Sequence, residues 1–193
     1  MKEIYLLRHG ETEWNVEGRF QGGKDSPLTV AGREQAQKVG RILAGLLGKE
    51  TKLSLHVSPQ GRAVETSGLI QQQIKFASVE TKSELREVSF GDWEGRRHAD
   101  IVAENPTLAE KFGKRRALLY APNAESFEEV KKRVHHWMDS LTSPVVALSH
   151  GISGRAIRGV YLGLSVEESL ILPVPQDAVW HLHDGKADLL TED

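Results

Sequence analysis

Apolar positions along this chain fall into short strand-like runs alternating with helical stripes, a β/α rhythm kept from end to end. The first run opens at Ile4 and closes at Arg8-His9, where Gly10 turns the chain. Residues 10–27 are rich in Gly, Asp and Asn and predict a long loop over that strand's end. Thr29 is placed to cap a helix in which Ala36, Val39, Leu43 and Leu46 recur at three- and four-residue steps up to Leu47, with Gly48 as the stop. Leu53 to Val57 alternates as a strand and ends in Ser58-Pro59. A helix from Arg62 then buries Ala63, Leu69, Ile70 and Ile74, and Phe76 to Lys82 predicts a short strand leading into Leu85-Arg86-Glu87.

The second half repeats the scheme. Arg96 to Tyr120 reads as helical in pieces, interrupted by Pro106 and Gly113, which predicts an insertion at about 96–125 on the pocket side. Ser126 with Glu129 forms a capping box, and Val130, Val134, Trp137, Met138 and Leu141 share a helical face. Pro144 to Leu148 is a buried-type strand that delivers Ser149-His150-Gly151, as the first strand delivers Arg8-His9-Gly10. Ser165 with Glu168 is a second capping box, and Ala178 to Leu190 predicts a hairpin turning at Asp184-Gly185. Without an internal repeat or a Pro/Gly/Ser-rich linker, residues 1–193 read as one α/β domain.

Composition narrows the function. Hydrophobic content of 39% with 27% charged residues describes an ordinary globule. A net charge of −2 gives no electrostatic case for nucleic acid or an anionic bilayer. No apolar stretch approaches a membrane span and the start lacks a secretory signal, so the expectation is a cytoplasmic enzyme. With no cysteine, disulfides, thiolate catalysis and Cys-ligated zinc are excluded. His181 and His183 share a strand face without a third ligand and read as hairpin surface; His135 and His136 read as a solvated pair. Leu170-Ile171-Leu172 suits either core or interface, which leaves a homodimer open.

The chemistry concentrates where strands end. Arg8-His9, Arg62, Glu87 and His150 each follow a strand or open a helix, the edge of an open α/β sheet where ligands sit. An imidazole beside a guanidinium suggests attack on phosphorus, because the ring is a nucleophile when neutral and the guanidinium clamps phosphate oxygens. The stretch Leu6-Leu7-Arg8-His9-Gly10-Glu11-Thr12-Glu13-Trp14-Asn15 resembles the signature of the histidine phosphatase superfamily, branch 1. The resemblance continues through Gln21-Gly22, Asp25-Ser26-Pro27-Leu28-Thr29, Ser58-Pro59-Gln60-Gly61-Arg62-Ala63-Val64-Glu65-Thr66, Leu85-Arg86-Glu87, Phe90-Gly91, Trp93-Glu94-Gly95 and Ser149-His150-Gly151.

That resemblance implies a three-layer α/β/α sandwich with a mostly parallel sheet, acting on a small phosphorylated substrate without a metal or organic cofactor. It implies His9 as nucleophile, Arg8, Arg62 and His150 around the phosphate, and Glu87 as the acid that must begin protonated, in a pocket that favours retention of its proton. His9 must be neutral, with a backbone carbonyl near Gly10 holding its other ring N–H. Asn15, Gln21, Gly22 and Gly151 are implied as phosphate or substrate contacts, and Leu85-Arg86 and Trp93 are placed at the entrance. A phosphatase is favoured over a mutase: the chain is shorter, and Phe90 and His98 stand where the mutases carry a tyrosine and a lysine. In the mutases a paired arginine grips a substrate carboxylate, a role for which Arg115 and Arg116 are the candidates. A phospholigand-binding module without turnover is the reading from another class.

Overall fold

The computed structural model of the protein describes residues 2–107, 110 and 120–192. At its centre lies a six-stranded sheet in the order β3-β2-β4-β1-β5-β6. The strands are β1 (Ile4–Arg8), β2 (Ser54–Val57), β3 (Ser78–Thr81), β4 (Val145–Ser149), β5 (Val179–His183) and β6 (Lys186–Leu190). The first four run parallel, and β5 and β6 add an antiparallel hairpin beside β1.

The inner strands are apolar on both faces, as strands between two helical layers must be. Ile4 and Leu6 of β1 join Val145 and Ala147 of β4 in one core, and Leu7 joins Val146 and Leu148 in the other. Helices α2 (Val30–Leu47) and α3 (Gly61–Ile70) cover the second core, and α5 (Phe127–Asp139) and α6 (Gly151–Leu162) cover the first. The result is the expected three-layer α/β/α sandwich. Local signals hold as well. Thr29 caps α2, Ser126–Glu129 and Ser165–Glu168 form capping boxes on α5 and on α7 (Val166–Leu170), and Asp184-Gly185 makes the hairpin turn with φ of 46° and 72°.

Three expectations change. The loop over β1 contains a one-turn helix, α1 (Glu13–Val16), because the Thr12 and Asn15 side chains cap it reciprocally; so short an element leaves no apolar periodicity to read. Leu85 and Trp93 are not at the entrance: they are core residues at 0% and 6% exposure, while Arg86 turns outward to Glu125. The tripeptide Leu170-Ile171-Leu172 is divided, with Leu170 buried, Ile171 exposed and Leu172 between. In the stretch expected to be an insertion, α4 spans His98–Glu104, and Arg115 and Arg116 lie outside the described residues. No helix among those described is long and apolar enough to cross a membrane.

Candidate active site

Strand register brings the chemistry together. Leu148 of β4 lies level with Leu7 of β1 and Val57 of β2, so the three parallel strands end side by side. Beyond them the His9 N–H donates to the Ser149 carbonyl at 3.2 Å, and the Ser58 N–H to the Leu148 carbonyl at 3.0 Å. His9 and His150 therefore emerge as neighbours, with ring centroids 5.1 Å apart. Gly10 turns the chain against α2, where a Cβ would collide with the Gly32 carbonyl; its N–H donates to Thr66 Oγ1 at 3.1 Å.

The His9 ring is held as one tautomer. Nδ1–H donates to the Gly10 carbonyl at 2.8 Å, and Arg62 Nε–H donates to Nε2 at 3.3 Å, which leaves Nε2 with a lone pair. Burial, then the charges of Arg8 and Arg62, push its pKa well below the usual histidine range; the Gly10 carbonyl opposes them. His150 is likewise held neutral, by burial first and then by Arg62, with His9, Arg8 and Arg133 adding to the shift. Its Nε2 lies 2.6 Å from Ser58 Oγ. Arg8 donates from Nη1 to the Val174 carbonyl at 2.9 Å, and burial brings its pKa down to about 10, so it stays cationic at neutral pH. Arg8 Nε and His150 Nδ1 are buried without a partner among the described residues, a pattern that calls for a ligand.

Arg62 is fixed by a network that sequence reading missed. Its Nη1 donates to the Lys24 carbonyl at 2.7 Å and to Asp25 Oδ1 at 2.8 Å, and its Nη2 to the Gly22 carbonyl at 3.1 Å. The Asp25 carboxylate also accepts the Gly61 and Arg62 N–H groups, capping α3 from a distant loop. The buried Gln60 donates to the Gly22 carbonyl at 2.5 Å and accepts the Glu87 N–H at 2.8 Å, tying the loop to the acid's segment. Asp25 and Gln60 each stood inside a recognised motif, so a signal existed for both.

The Glu87 carboxylate is held by backbone donors. Its Oε1 accepts from the Val88 and Ser153 N–H groups, both at 3.0 Å, and its Oε2 from the Ile152 N–H at 3.1 Å. Two of these donors belong to the first turn of α6, and backbone N–H groups at a helix amino terminus favour a carboxylate.

A cavity of about 320 Å³ joins these groups: Arg8, His9, Arg62 and Glu87 share its wall with Asn15, Gln21, Gly22 and Gly151. Asn15 Oδ1 also accepts from the Thr12 N–H and from Gln176 Nε2, so it serves α1 as well. Gln21 accepts from Ser26 Oγ, and Gly22 takes a φ of 54°. The rest of the wall mixes Phe20, Phe90, Leu170 and Val174 with Arg19 and Arg155, and His98 packs on Phe20 with centroids 4.0 Å apart. Elsewhere, His181 and His183 stack on one face of β5 and engage Glu3 and Asp188. Among the described residues no group of three or more His, Cys, Asp or Glu is arranged to hold a metal.

Fold and pocket together define a class, enzymes of phosphate esters working at the carboxyl edge of an α/β/α sheet. The chain belongs to the histidine phosphatase superfamily (branch 1), whose family model matches residues 4–187. The probable phosphoglycerate mutase GpmB of Salmonella arizonae is 37% identical over 175 residues, covering 85% of this chain and 76% of that one. The alpha-ribazole phosphatase of Shigella flexneri superposes with a TM-score of 0.78 at 28% identity, over 98% of this chain and 96% of the other. The mycobacterial glucosyl-3-phosphoglycerate phosphatase Rv2419c, solved as a complex with VO3, gives 0.78 at 27% identity over the full length of both chains.

Proposed function

We propose that the protein is a phosphomonoester hydrolase that works on a small phosphorylated metabolite through a phosphohistidine at His9. The observation that carries this reading is the unprotonated Nε2 of His9, which accepts from Arg62 Nε–H beside a cavity walled by Arg8, Arg62 and Glu87. Nε2 attacks phosphorus as the ester P–O bond breaks, and Glu87 gives its proton to the departing alkoxide. Water then attacks phosphorus while Glu87 takes its proton, and the P–N bond breaks, which releases phosphate and restores neutral His9. Arg8, Arg62 and the His150 Nδ1–H face the phosphoryl oxygens, where preorganised donors stabilise spreading negative charge. Arg62 Nε must leave His9 for an oxygen when substrate enters.

Asn15, Gln21, Gly22 and Gly151 shape the oxygen-binding wall in this reading, and the whole chain acts as one domain whose insertion at about 96–125 meets the leaving group. A mutase is the second reading, favoured by the name of the 37% identical relative. Against it stands His98, which burial keeps neutral where the mutases would present a lysine charge. Phosphate release from a panel of phosphoesters including 3-phosphoglycerate, measured beside isomerisation dependent on added 2,3-bisphosphoglycerate, separates the two. Hydrolysis without isomerisation is expected; isomerisation outrunning release would establish the mutase.

A further inference from the structure

Arg158, in the third turn of α6, is 1% exposed, and none of the groups that shift its pKa is a carboxylate. Its guanidinium lies 4.2 Å over the Trp180 ring, and Nη2 donates to the Pro173 carbonyl. One turn earlier, Arg155 Nε donates to the Leu172 carbonyl at 2.8 Å, and Arg8 Nη1 takes the Val174 carbonyl at 2.9 Å. Three consecutive carbonyls thus each accept from a different arginine. Two residues on, Gln176 Nε2 donates to the His9 carbonyl at 3.1 Å and to Asn15 Oδ1 at 3.2 Å.

A buried cation without a counter-charge is costly, and it is retained here among like charges. The repulsion is mutual, since Arg155 lowers the pKa of both Arg8 and Arg158. The carbonyl dipoles of residues 172–174 lie between these charges and offset it. We propose that residues 172–176 form a strap that aims the Arg8 guanidinium and steadies the His9 backbone, and that Arg158 is the positioning residue that holds the strap in place. With Nη1 tied to Val174, the Arg8 fork cannot rotate and Nε keeps its direction toward the phosphate; releasing the strap frees that rotation. The inference rests on the phosphohistidine reading only for what Arg8 grips.

The test compares the wild type with Arg158→Met and Arg158→Lys by phosphatase kinetics, competitive inhibition by inorganic phosphate, and thermal unfolding. A misaimed clamp lowers kcat/KM by about 10-fold or more and raises the inhibition constant of phosphate in step. Methionine replaces an unpaired buried charge with an apolar chain of similar reach, so Tm is expected to hold or rise while activity falls. A merely structural arginine would behave oppositely, with lower Tm and unchanged constants below the unfolding range, and that result overturns the proposal. Should Arg158→Met fail to fold, Arg158→Lys decides: wild-type Tm with weakened phosphate inhibition supports the strap, and wild-type constants refute it. A wild type that neither hydrolyses phosphoesters nor binds phosphate would sink the functional reading instead.

Discussion

His9 works only while it is unprotonated, and its surroundings keep it so. Because burial and two guanidinium groups depress its pKa, the active form persists well below pH 6.5, where a solvated histidine would be charged. We therefore expect kcat/KM to show no acid limb attributable to His9 between pH 7 and 6, and a loss tracking an ordinary histidine titration would contradict the electrostatics. Glu87 has the complementary task. Glu87→Gln should cut turnover of an alkyl phosphate by about 10²- to 10⁴-fold. It should cost far less with p-nitrophenyl phosphate, whose leaving group needs no proton; equal losses on both substrates would remove Glu87 as the acid. The histidines, arginines and Glu87 were legible because each sits in a recognisable local motif. The hydrogen bonds that hold the Glu87 side chain were not, since they come from the amino terminus of a helix far along the chain.

Among the elements, those built on period and caps were readable and those built on irregular backbone were not. The apolar stripe of α2, the capping boxes at Ser126 and Ser165 and the Asp184-Gly185 turn are all local chemistry. Ser126→Ala should lower stability by about 1 kcal/mol in chemical denaturation without changing kcat/KM. A loss of activity in the folded variant would show that α5 does more than pack. The contact between the β1 turn and α2 is different, because a Cβ at Gly32 would fall onto the Glu11 backbone. Gly32→Ala should therefore displace the turn that carries His9, with both stability and turnover reduced; wild-type values for both would show that the contact yields freely. Pro173 and Pro175 mark residues 172–176 as irregular chain, but nothing local showed that their carbonyls serve three arginines.

Across the whole molecule, burial lowers the pKa of His9, His56, His98 and His150 together. His56 shows the structural side of this, for its Nδ1 accepts from Trp137 Nε1 at 3.1 Å, a bond that protonation would remove. Unfolded histidines take up protons near pH 6.5 while these folded ones resist, so their stabilising contribution is full above that pH and is lost as pH falls below it. Urea midpoints should decline from pH 7 to 5, and a flat profile would contradict the buried-neutral assignment. The α/β/α order was legible from alternation alone; the meeting of Arg8, His9, Arg62 and Glu87 around one cavity, with His150 beside His9, needed the register of β1, β2 and β4. What the account claims above all is a covalent phosphoryl group on one ring nitrogen. Rapid quenching of turnover followed by intact-mass and peptide analysis tests it most directly: one acid-labile phosphoryl group on His9 is predicted, absent in His9→Ala. Full turnover by that variant, or a phosphoryl group trapped on any other residue, would contradict the mechanism.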